Sequence, residues 1–392
     1  MTGSDRGRWS AIQSSTLSGS HIREIGNPLN TTRQRSENMA HEWDVSIVSG
    51  SVGAGHDSAA MELQRRLNAA GVRAGYIDYL DCGPRTLKAA TKAAYYFTAT
   101  YAPWALQYGF KKILPLHGKP PWSTRLLSRL SAQRLIERTE GASVVVSTYP
   151  FASQALGWLK ASGRIAATLA TYVTDPAPHS LWLHQAVDYH LVPTETTRSQ
   201  IPRSDYDVHV VGPLASSEFR ATVAMDSRFD TRKQLGVEDD KILAIIMTGS
   251  NALGAVGRIA KTVVAVGGTP LVLCGRNTRL RRTLSASGIL ALGWRDDVPQ
   301  LMRAADVLIH NGGGMSYTES TVVGLPTITL MPIAGHGRLN AAVLESTGDA
   351  PWARTAEDLS RLLANLPPRR PASNPDSESA AQFIACLVSG TR

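Results

Sequence analysis

The sequence predicts an α/β protein with two doubly wound domains that face each other across a cleft. From about Trp43 onward, apolar strand runs alternate with helical patterns, as in parallel sheets covered by helices on both faces. The alternation occurs twice, and a glycine-containing turn follows a strand in each series. A charged segment, residues 213–240, separates the two series. We interpret that segment as the hinge.

The first series, residues 43–212, is the predicted N-terminal domain. Its strand runs are residues 44–50, 74–80, 143–148, 167–175, 187–192 and 208–212. A helix is expected from about Asp57 to Ala70 and another from Phe151. Residues 1–42 are rich in Ser, Thr, Arg and Asn and poor in apolar residues, so we expect a disordered tail there.

The second series, residues 241–366, is the predicted C-terminal domain. Its strand runs are KILAIIMTGS, TPLVLCG, GILALG, ADVLIH and LPTITLM, with a helix that begins near Met315. Residues 367–392 consist of a Pro-rich connector and a final helix, SESAAQFIACLVSG, which we expect to pack on the first domain.

Composition limits the classes of protein that fit. The chain has 392 residues, enough for two domains of ordinary size. Cys82, Cys274 and Cys386 are far apart with no CxxC pair, which argues against a disulfide framework or a zinc cluster and favours a reducing compartment. No run approaches the roughly 20 apolar residues that span a bilayer, and no signal-peptide core is recognised.

A candidate phosphate site lies in the segment from Gly293 to Asn340. The strand ADVLIH ends in Gly312, Gly313 and Gly314, and a helix follows through Met315 and Ser316. The first N–H groups of a helix lack intrahelical partners and lie at the positive end of its dipole, so this turn suits an anion.

Three further residues are candidates for the same ligand. About one turn into the helix, the carboxylate of Glu319 can accept both hydroxyls of a ribose, although a solvated helix-face glutamate is the ordinary alternative. The residues from Pro332 to Asn340 are predicted to form a polar loop, in which His336 and Asn340 would hold the far end of the ligand.

A second anion-binding turn is predicted at the first strand of the C-terminal series. Gly249, Ser250 and Asn251 end that strand and begin a helix. Arg276, in the sequence CGRN, is the candidate cation for a diphosphate.

The first strand of the chain ends in the turn GSVGAG, which places Gly55 and His56 at the start of a helix. A dinucleotide-binding fingerprint is the rival interpretation, because Asp78 ends the second strand where a ribose-binding acid would lie. The glycines, however, are spaced GxxGxG rather than GxGxxG. His56 is either a helix cap or a cleft residue, and a neutral imidazole there can accept a proton from a hydroxyl.

The sequence VTDPAPHSLWLHQAVD places Asp175, His179 and Trp182 in a predicted loop and short helix after a buried strand. No HxH or HxxxH with an obvious third ligand occurs, so no metal site is predicted. Asp175 either caps the turn before Pro176 or works in the cleft, where it orients a histidine or takes a proton itself.

A long basic and aromatic stretch lies between Gly83 and Ile136. It has no Asp or Glu but nine Lys and Arg, in a chain whose formal net charge is +9. Tyr101, Trp104 and Tyr108 recur at helical spacing, with Lys111 and Lys112 beyond them. Such residues suit an anionic membrane interface, where each cation contributes about 1 kcal/mol. No nucleic-acid motif accompanies them, and an ordinary helical subdomain is the alternative.

Taken together, these motifs resemble those of a known family. The sequences SVGAGHDSA, YVTDPAPHSLWLHQAVDYHLVPTE and LVLCGRN, and the segment containing GLP and IAGHGRLN, occur in the family's order. From about Val45 to Trp352 the chain resembles GT-B glycosyltransferases of the group containing monogalactosyldiacylglycerol synthase and bacterial processive diacylglycerol glucosyltransferases. More distantly it resembles the N-acetylglucosaminyltransferase that makes lipid II.

This resemblance implies two Rossmann-like domains in the GT-B arrangement and an inverting transfer of a hexosyl group. The donor would be a nucleotide sugar, with UDP the expected nucleotide, and no metal or other cofactor would be required. The acceptor would be a lipid or amphiphile such as diacylglycerol, reached by peripheral attachment to the cytoplasmic face of the membrane. A transferase of secondary metabolism and a non-catalytic nucleotide-sugar-binding subunit are the alternatives.

The resemblance also assigns roles to residues. His56 and Asp175 are the catalytic candidates, and the two glycine turns with Arg276, Glu319, His336 and Asn340 are the donor candidates. Candidate acceptor or membrane contacts are Gly55, His179, Trp182, Tyr101, Trp104, Tyr108, Lys111 and Lys112. The family's proposed base, an Asp before the first glycine turn, corresponds to Ser51, so the identity of the base is open.

Overall fold

The computed structural model describes residues 43–113, 121–202, 205–220, 225–370 and 379–391. The predicted tail of residues 1–42 and most of the predicted Pro-rich connector lie outside these ranges. Lys111 and Lys112 end a helix, and only their backbone is described.

The first sheet has six parallel strands in the order β2-β1-β3-β4-β5-β6. Its strands are β1 (Val45–Ser49), β2 (Ala74–Asp78), β3 (Val144–Ser147), β4 (Thr168–Tyr172), β5 (Tyr189–Val192) and β6 (Val208–Val210). The first four are almost entirely buried, as expected for strands of a parallel sheet that helices cover on both faces.

Helices cover both faces of this sheet and extend beyond it. They are α1 (Ala54–Ala69), α2 (Arg85–Tyr101), α3 (Pro103–Ile113), α4 (Trp122–Thr139), α5 (Pro150–Ala161) and α6 (Glu195–Ser199), with a 3₁₀ turn at Tyr79–Asp81. Pro150 occupies the first turn of α5, where its missing N–H costs nothing.

The second sheet also has six parallel strands, in the order β12-β11-β10-β7-β8-β9. Its strands are β7 (Leu243–Met247), β8 (Thr269–Leu273), β9 (Leu290–Leu292), β10 (Val307–His310), β11 (Thr327–Leu330) and β12 (Trp352–Ala353). The predicted pair of doubly wound α/β units is therefore confirmed, and the short edge strand β12 is additional to the prediction.

The remaining helices are α7 (Ser217–Arg220), α8 (Met225–Gln234), α9 (Val256–Ala265), α10 (Thr278–Ala286), α11 (Val298–Ala304), α12 (Gly314–Val323), α13 (His336–Ser346), α14 (Ala356–Ala364) and α15 (Ala380–Ser389). Gly324 ends α12 in the left-handed region (φ 75°). Glycine adopts this conformation at little cost because it has no Cβ. Ser379 and Gln382 form a capping box at the start of α15.

The final helix returns to the first domain, as predicted. Phe383 and Ile384 of α15 are fully buried in the same cluster as Val45 and Leu63. The predicted hinge segment instead packs on the second domain, where Phe219 and Val237 join its core. The domain limits themselves stay a prediction.

Three local predictions are wrong. Gly249, Ser250 and Asn251 lie in a turn, and the helix predicted to begin there starts only at Val256. The residues around His179 and Trp182 form turns and no helix. The predicted loop from Pro332 to Asn340 ends at Gly335, because α13 begins at His336 and already contains Asn340. All three motifs are short, and turn-rich sequences of this length carry little periodic signal.

Candidate active site

A cleft of about 690 Å³ lies between the two sheets. The turn after β1, the segment after β4, and helices α2 and α3 line one side. The turns after β7, β8, β9 and β10 line the other. These turns follow the carboxyl ends of parallel strands, where open α/β sheets bind their ligands.

The glycine turn after β10 brings the start of α12 into the cleft. Gly312 has φ 89°, which only glycine adopts without strain, and a Cβ there would lie 2.3 Å from the Gly337 oxygen. Gly313 is the N-cap of α12, and Gly313, Gly314, Met315 and Ser316 line the cleft. The unpaired N–H groups of the first turn of α12 therefore lie beside the cavity.

Glu319 lies on α12 one turn after these N–H groups and also lines the cleft. Burial raises the pKa of Glu319 to about 8. Within the described part of the chain, no hydrogen bond or ion pair engages its carboxyl group. A carboxyl group placed in this way is available to hydroxyl donors of a ligand.

The predicted turn after β7 lies on the same side of the cleft, and Gly249, Ser250 and Asn251 line it. A Cβ at Gly275 would lie 2.1 Å from the Ser250 oxygen, so the turns after β7 and β8 pack tightly together. Arg276, the predicted cation, is exposed and is not among the residues that line the cleft, and its guanidinium carbon lies 4.9 Å from the ring centroid of Trp294. Trp294 lines the cleft.

Asp175 joins the two domains through buried hydrogen bonds. Its carboxylate accepts from the indole N–H of Trp182 at 3.0 Å and from the amide of Asn340, in α13, at 3.1 Å. Asn340 also donates to the Gly312 oxygen at 2.9 Å and accepts from the Ala177 N–H at 3.1 Å. Asp175 is thus more than a cap of the local turn.

Three histidines surround this carboxylate, and we call His56, His179 and His336 with Asp175 the histidine cage. All four residues line the cleft. Burial by itself would raise the pKa of Asp175, but the charges that His336, His56 and His179 can carry lower it overall, helped by the Asn340 amide. Both carboxylate oxygens accept from N–H donors, Oδ2 from Trp182 and Oδ1 from Asn340, which is the hydrogen-bonding pattern of an ionised carboxylate.

His56 lies in the first turn of α1 and is oriented by its neighbours. Its Nδ1 is 3.1 Å from the Thr174 hydroxyl, and its ring lies 5.3 Å from Tyr149 and 5.7 Å from Trp182. Burial lowers the pKa of His56, although Asp175 and Asp57 oppose that shift. The imidazole is neutral at pH 7, the form that accepts a proton.

His179 is almost completely buried, and burial lowers its pKa to about 4. Its Nδ1 finds no hydrogen-bond partner in the described residues. Phe110 of α3 packs edge-on to it at 5.8 Å and lies 5.7 Å from His336, the first residue of α13.

Two predicted ligand contacts have other roles. Trp182 is fully buried, so its side chain cannot contact a membrane or an acceptor; its N–H holds Asp175. Asn340 is also fully buried. Its amide group makes its hydrogen bonds within the protein and is not presented to a nucleotide sugar.

Ser51, the residue at the family's acidic position, donates to Asp78 at 2.5 Å. Asp78 also accepts from Lys88 at 2.9 Å, and it is buried. Burial alone would raise the pKa of Asp78, but Ser51, Lys88 and the Leu80 N–H lower it overall. An acid so fully bonded is neither a free ribose ligand nor a replacement base.

Sequence reasoning did not identify the inner face of helices α2 and α3. The Tyr96 hydroxyl donates to the Val52 oxygen at 2.9 Å and accepts from the Asn251 amide at 2.6 Å, across the cleft. Gln107 accepts from the Gly335 N–H at 2.8 Å. Gln107 and Phe110 are three residues apart, so they share a helix face, but the sequence does not say what that face meets.

The outer face of these helices carries exposed aromatic residues. Tyr101 and Trp104 are each 75% exposed, and Tyr108 is 62% exposed. Trp122, at the start of α4, is 77% exposed. If this region were an ordinary helical subdomain, these aromatic side chains would be buried in its core. Their exposed fractions argue against that alternative.

Comparison with known proteins agrees with this architecture. Residues 56–212 match the family model of monogalactosyldiacylglycerol (MGDG) synthase. A processive diacylglycerol β-glucosyltransferase of Bacillus pumilus is 28% identical over 216 residues, which are 52% of this chain and 55% of that protein. The chain thus matches little more than half the length of that curated relative.

Two solved structures resemble nearly the whole chain. MurG of Acinetobacter baumannii has a TM-score of 0.54 at 16% identity and covers 88% of this chain and 99% of its own. UGT71G1 of Medicago truncatula, complexed with UDP-glucose, has a TM-score of 0.53 at 14% identity and covers 90% and 94%. The fold and cleft therefore define a GT-B protein. Within that class the chain resembles the MGDG synthase and diacylglycerol glucosyltransferase group.

The described residues contain neither a helix that could span a membrane nor a cluster that could hold a metal ion. None of their helices is both long and apolar enough to cross a membrane. No group of three or more His, Cys, Asp or Glu residues among them is arranged to hold a metal ion.

Proposed function

We propose that the protein is an inverting glycosyltransferase that moves a hexosyl group from a UDP-sugar to a lipid or amphiphilic acceptor, with diacylglycerol as the first candidate. One observation carries the proposal. The helix start after β10 and the unpaired carboxyl group of Glu319 lie in one cleft with His56. The match to the MGDG synthase model and the named relative support the lipid acceptor.

The donor occupies the side of the cleft formed by the second domain. Its diphosphate meets the N–H groups at Gly313–Ser316, and its ribose hydroxyls bind Glu319. Trp294 lines the cleft, packs against the Arg276 guanidinium, and offers an aromatic surface to the nucleobase. UDP-glucose in a solved structure of the same fold supports this class of donor.

The reaction is a displacement at the anomeric carbon. The acceptor oxygen forms a bond to that carbon while the bond to the diphosphate oxygen breaks, and the diphosphate leaves with the electron pair. Negative charge grows on the leaving group, so the N–H groups of α12 stabilise the transition state more than the ground state. This stabilisation comes from the protein itself, so we propose that no divalent ion is required.

His56 accepts the proton of the acceptor hydroxyl. The Thr174 hydroxyl and the Thr148 backbone both hydrogen-bond to the imidazole and orient it, and we assign the role of the base to this neutral ring. The imidazolium that forms is stabilised by the nearby charge of Asp175. Asp175 itself keeps its bonds to Trp182 and Asn340, so it works as a fixed charge rather than as the base.

The acceptor enters from the side of α2 and α3. The exposed Tyr101, Trp104 and Tyr108 support peripheral attachment to an anionic membrane surface, and we place the protein at the cytoplasmic face of the cell membrane. These two helices also line the cleft, so a lipid head group has a short path to His56.

The test is a screen of UDP-glucose, UDP-galactose and UDP-N-acetylglucosamine against diacylglycerol, polyprenyl diphosphate lipids and small amphiphiles, with products detected by mass. We expect UDP release that depends on the acceptor and is lost in Glu319→Ala. UDP-sugar binding without turnover for any acceptor would identify a non-catalytic binding subunit. Products from soluble acceptors alone would refute the lipid assignment.

A further inference from the structure

Tyr95 lies on the inner face of helix α2 and lines the cleft from the side of the first domain. Thr91, one helical turn earlier, lines the cleft too. The adjacent Tyr96 fixes the position of this face, because its hydroxyl bonds to Val52 and to Asn251 on opposite sides of the cleft. The rings of Tyr95 and Tyr96 meet edge to face at 5.9 Å, so the Tyr95 ring is held in place as well.

The hydroxyl group of Tyr95 has no hydrogen-bond partner among the described residues. Its oxygen is not sealed inside the protein, so a ligand in the cleft can reach it. Burial and the nearby charge of Asp175 raise the pKa of Tyr95 above its usual value. The phenol is therefore protonated at pH 7, and its O–H is available as a hydrogen-bond donor.

This donor lies near the proposed base. The charge of Asp175, in the histidine cage, acts both on the ring of His56 and on the hydroxyl of Tyr95. His56 and Tyr95 both belong to the first domain, whereas the helix start that we assign to the diphosphate belongs to the second. The position of Tyr95 therefore fits a contact with the acceptor better than a contact with the nucleotide.

The same side of the cleft carries apolar side chains. Leu106 and Phe110 of α3 line it, together with Phe151 and Leu181. Such a wall suits the hydrocarbon part of an amphiphile but makes no hydrogen bonds to its polar head group. A hydroxyl donor near His56 is thus well placed to orient that head group.

The reaction decides which oxygen of the acceptor this donor can hold. The attacking oxygen gives its proton to His56 and uses a lone pair to form the bond to the anomeric carbon. A hydrogen bond donated to that lone pair would oppose the attack. A second oxygen in the head group takes no part in the displacement, so a hydrogen bond to it leaves the attack unhindered. Diacylglycerol has such an oxygen in the ester group next to its free hydroxyl.

We propose that Tyr95 binds the acceptor by donating its hydroxyl hydrogen to a second oxygen next to the attacking hydroxyl. Acceptors of the matching class are alcohols with an ester or hydroxyl oxygen beside the reacting group. This proposal rests on the proposed function, since it requires an acceptor whose hydroxyl is deprotonated by His56.

The experiment measures transfer from a UDP-hexose to diacylglycerol in detergent micelles, using the full chain and Tyr95→Phe. We expect the substitution to raise KM for diacylglycerol by about 3- to 10-fold, the size of one neutral hydrogen bond, and to change kcat by less than about twofold. UDP-hexose affinity, measured by calorimetry, should stay the same. Because the deleted hydroxyl has no partner among the described residues, Tm should not fall.

Tyr189→Phe is the matched control, because Tyr189 lies on β5 and does not line the cleft. It should change neither KM nor kcat. An unchanged KM in Tyr95→Phe, or a loss that falls on kcat, on UDP-hexose affinity or on Tm instead, would overturn this inference and leave the proposed function in place. Wild-type protein that transfers no sugar to diacylglycerol would overturn the proposed acceptor and this inference together.

Discussion

Glu319 makes donor binding depend on pH in a way that can be calculated. Its pKa is raised to about 8 by burial, whereas two ribose hydroxyls can both donate only to the ionised carboxylate. With a pKa of about 8, roughly 1% of the group is ionised at pH 6, roughly 10% at pH 7 and about half at pH 8. Binding must therefore release a proton below pH 8.

We accordingly expect UDP-sugar affinity to rise about tenfold from pH 6 to pH 7, to rise about fivefold from pH 7 to pH 8, and to level off above that pH. The assay is calorimetry in two buffers of different ionisation enthalpy, which also counts the protons released. A UDP-sugar is the right ligand, because its diphosphate diester does not titrate in this range, whereas the terminal phosphate of UDP does.

Glu319→Gln is the control for this dependence. It keeps the shape of the side chain and removes the titration, so its affinity should be nearly constant from pH 6 to pH 8. The same shift affects folding: the native pKa lies above the unfolded value of 4.5, so wild-type stability falls as pH rises from about 4.5 to 8. Wild-type affinity that is constant over this range, or a slope that persists in Glu319→Gln, would refute the reasoning.

Three further predictions follow from the cleft and its surroundings. His56→Ala should lower kcat by about 10²- to 10⁴-fold with UDP-sugar affinity nearly unchanged, and equal losses in binding and turnover would contradict its role as the base. Asn340→Ala leaves Asp175 without one donor, so urea denaturation should detect a loss of about 1–3 kcal/mol; an unchanged midpoint would contradict the interdomain link. Trp104→Ser with Tyr108→Ser should reduce sedimentation with anionic vesicles at low salt, while thermal stability stays constant because both side chains are exposed. Undiminished vesicle binding would place the membrane surface elsewhere.

Local patterns predicted the strands well because each reports its own burial. The run LAIIM of β7 is apolar along its length and lies in the interior of a sheet. Gly312 was equally readable, because the turn between β10 and α12 places it at φ 89°. Both features depend on neighbours in sequence, and periodicity detects such features.

Contacts between distant segments were not predictable in this way. Asp175 and Asn340 are 165 positions apart, and nothing in either local sequence indicates that they share a hydrogen bond. Trp182 resembles an exposed binding residue in its polar surroundings, yet it is fully buried in an apolar cluster with Val173 and Val192, and Asp175 accepts its N–H. The roles of these residues depend on how the two domains meet.

The sequence by itself determined that this protein has two parallel α/β domains and that the turn after β10, with Glu319, is the best candidate for a nucleotide diphosphate. Those conclusions rest on periodicity, glycine positions and motif order, all of which are local. Only the tertiary structure decided that Asp175 is a bonded, fixed charge, that His179 is buried beside the cleft, and that α2 and α3 join both domains. The physical reason is that burial and hydrogen-bond partners belong to the packed molecule, not to any segment alone.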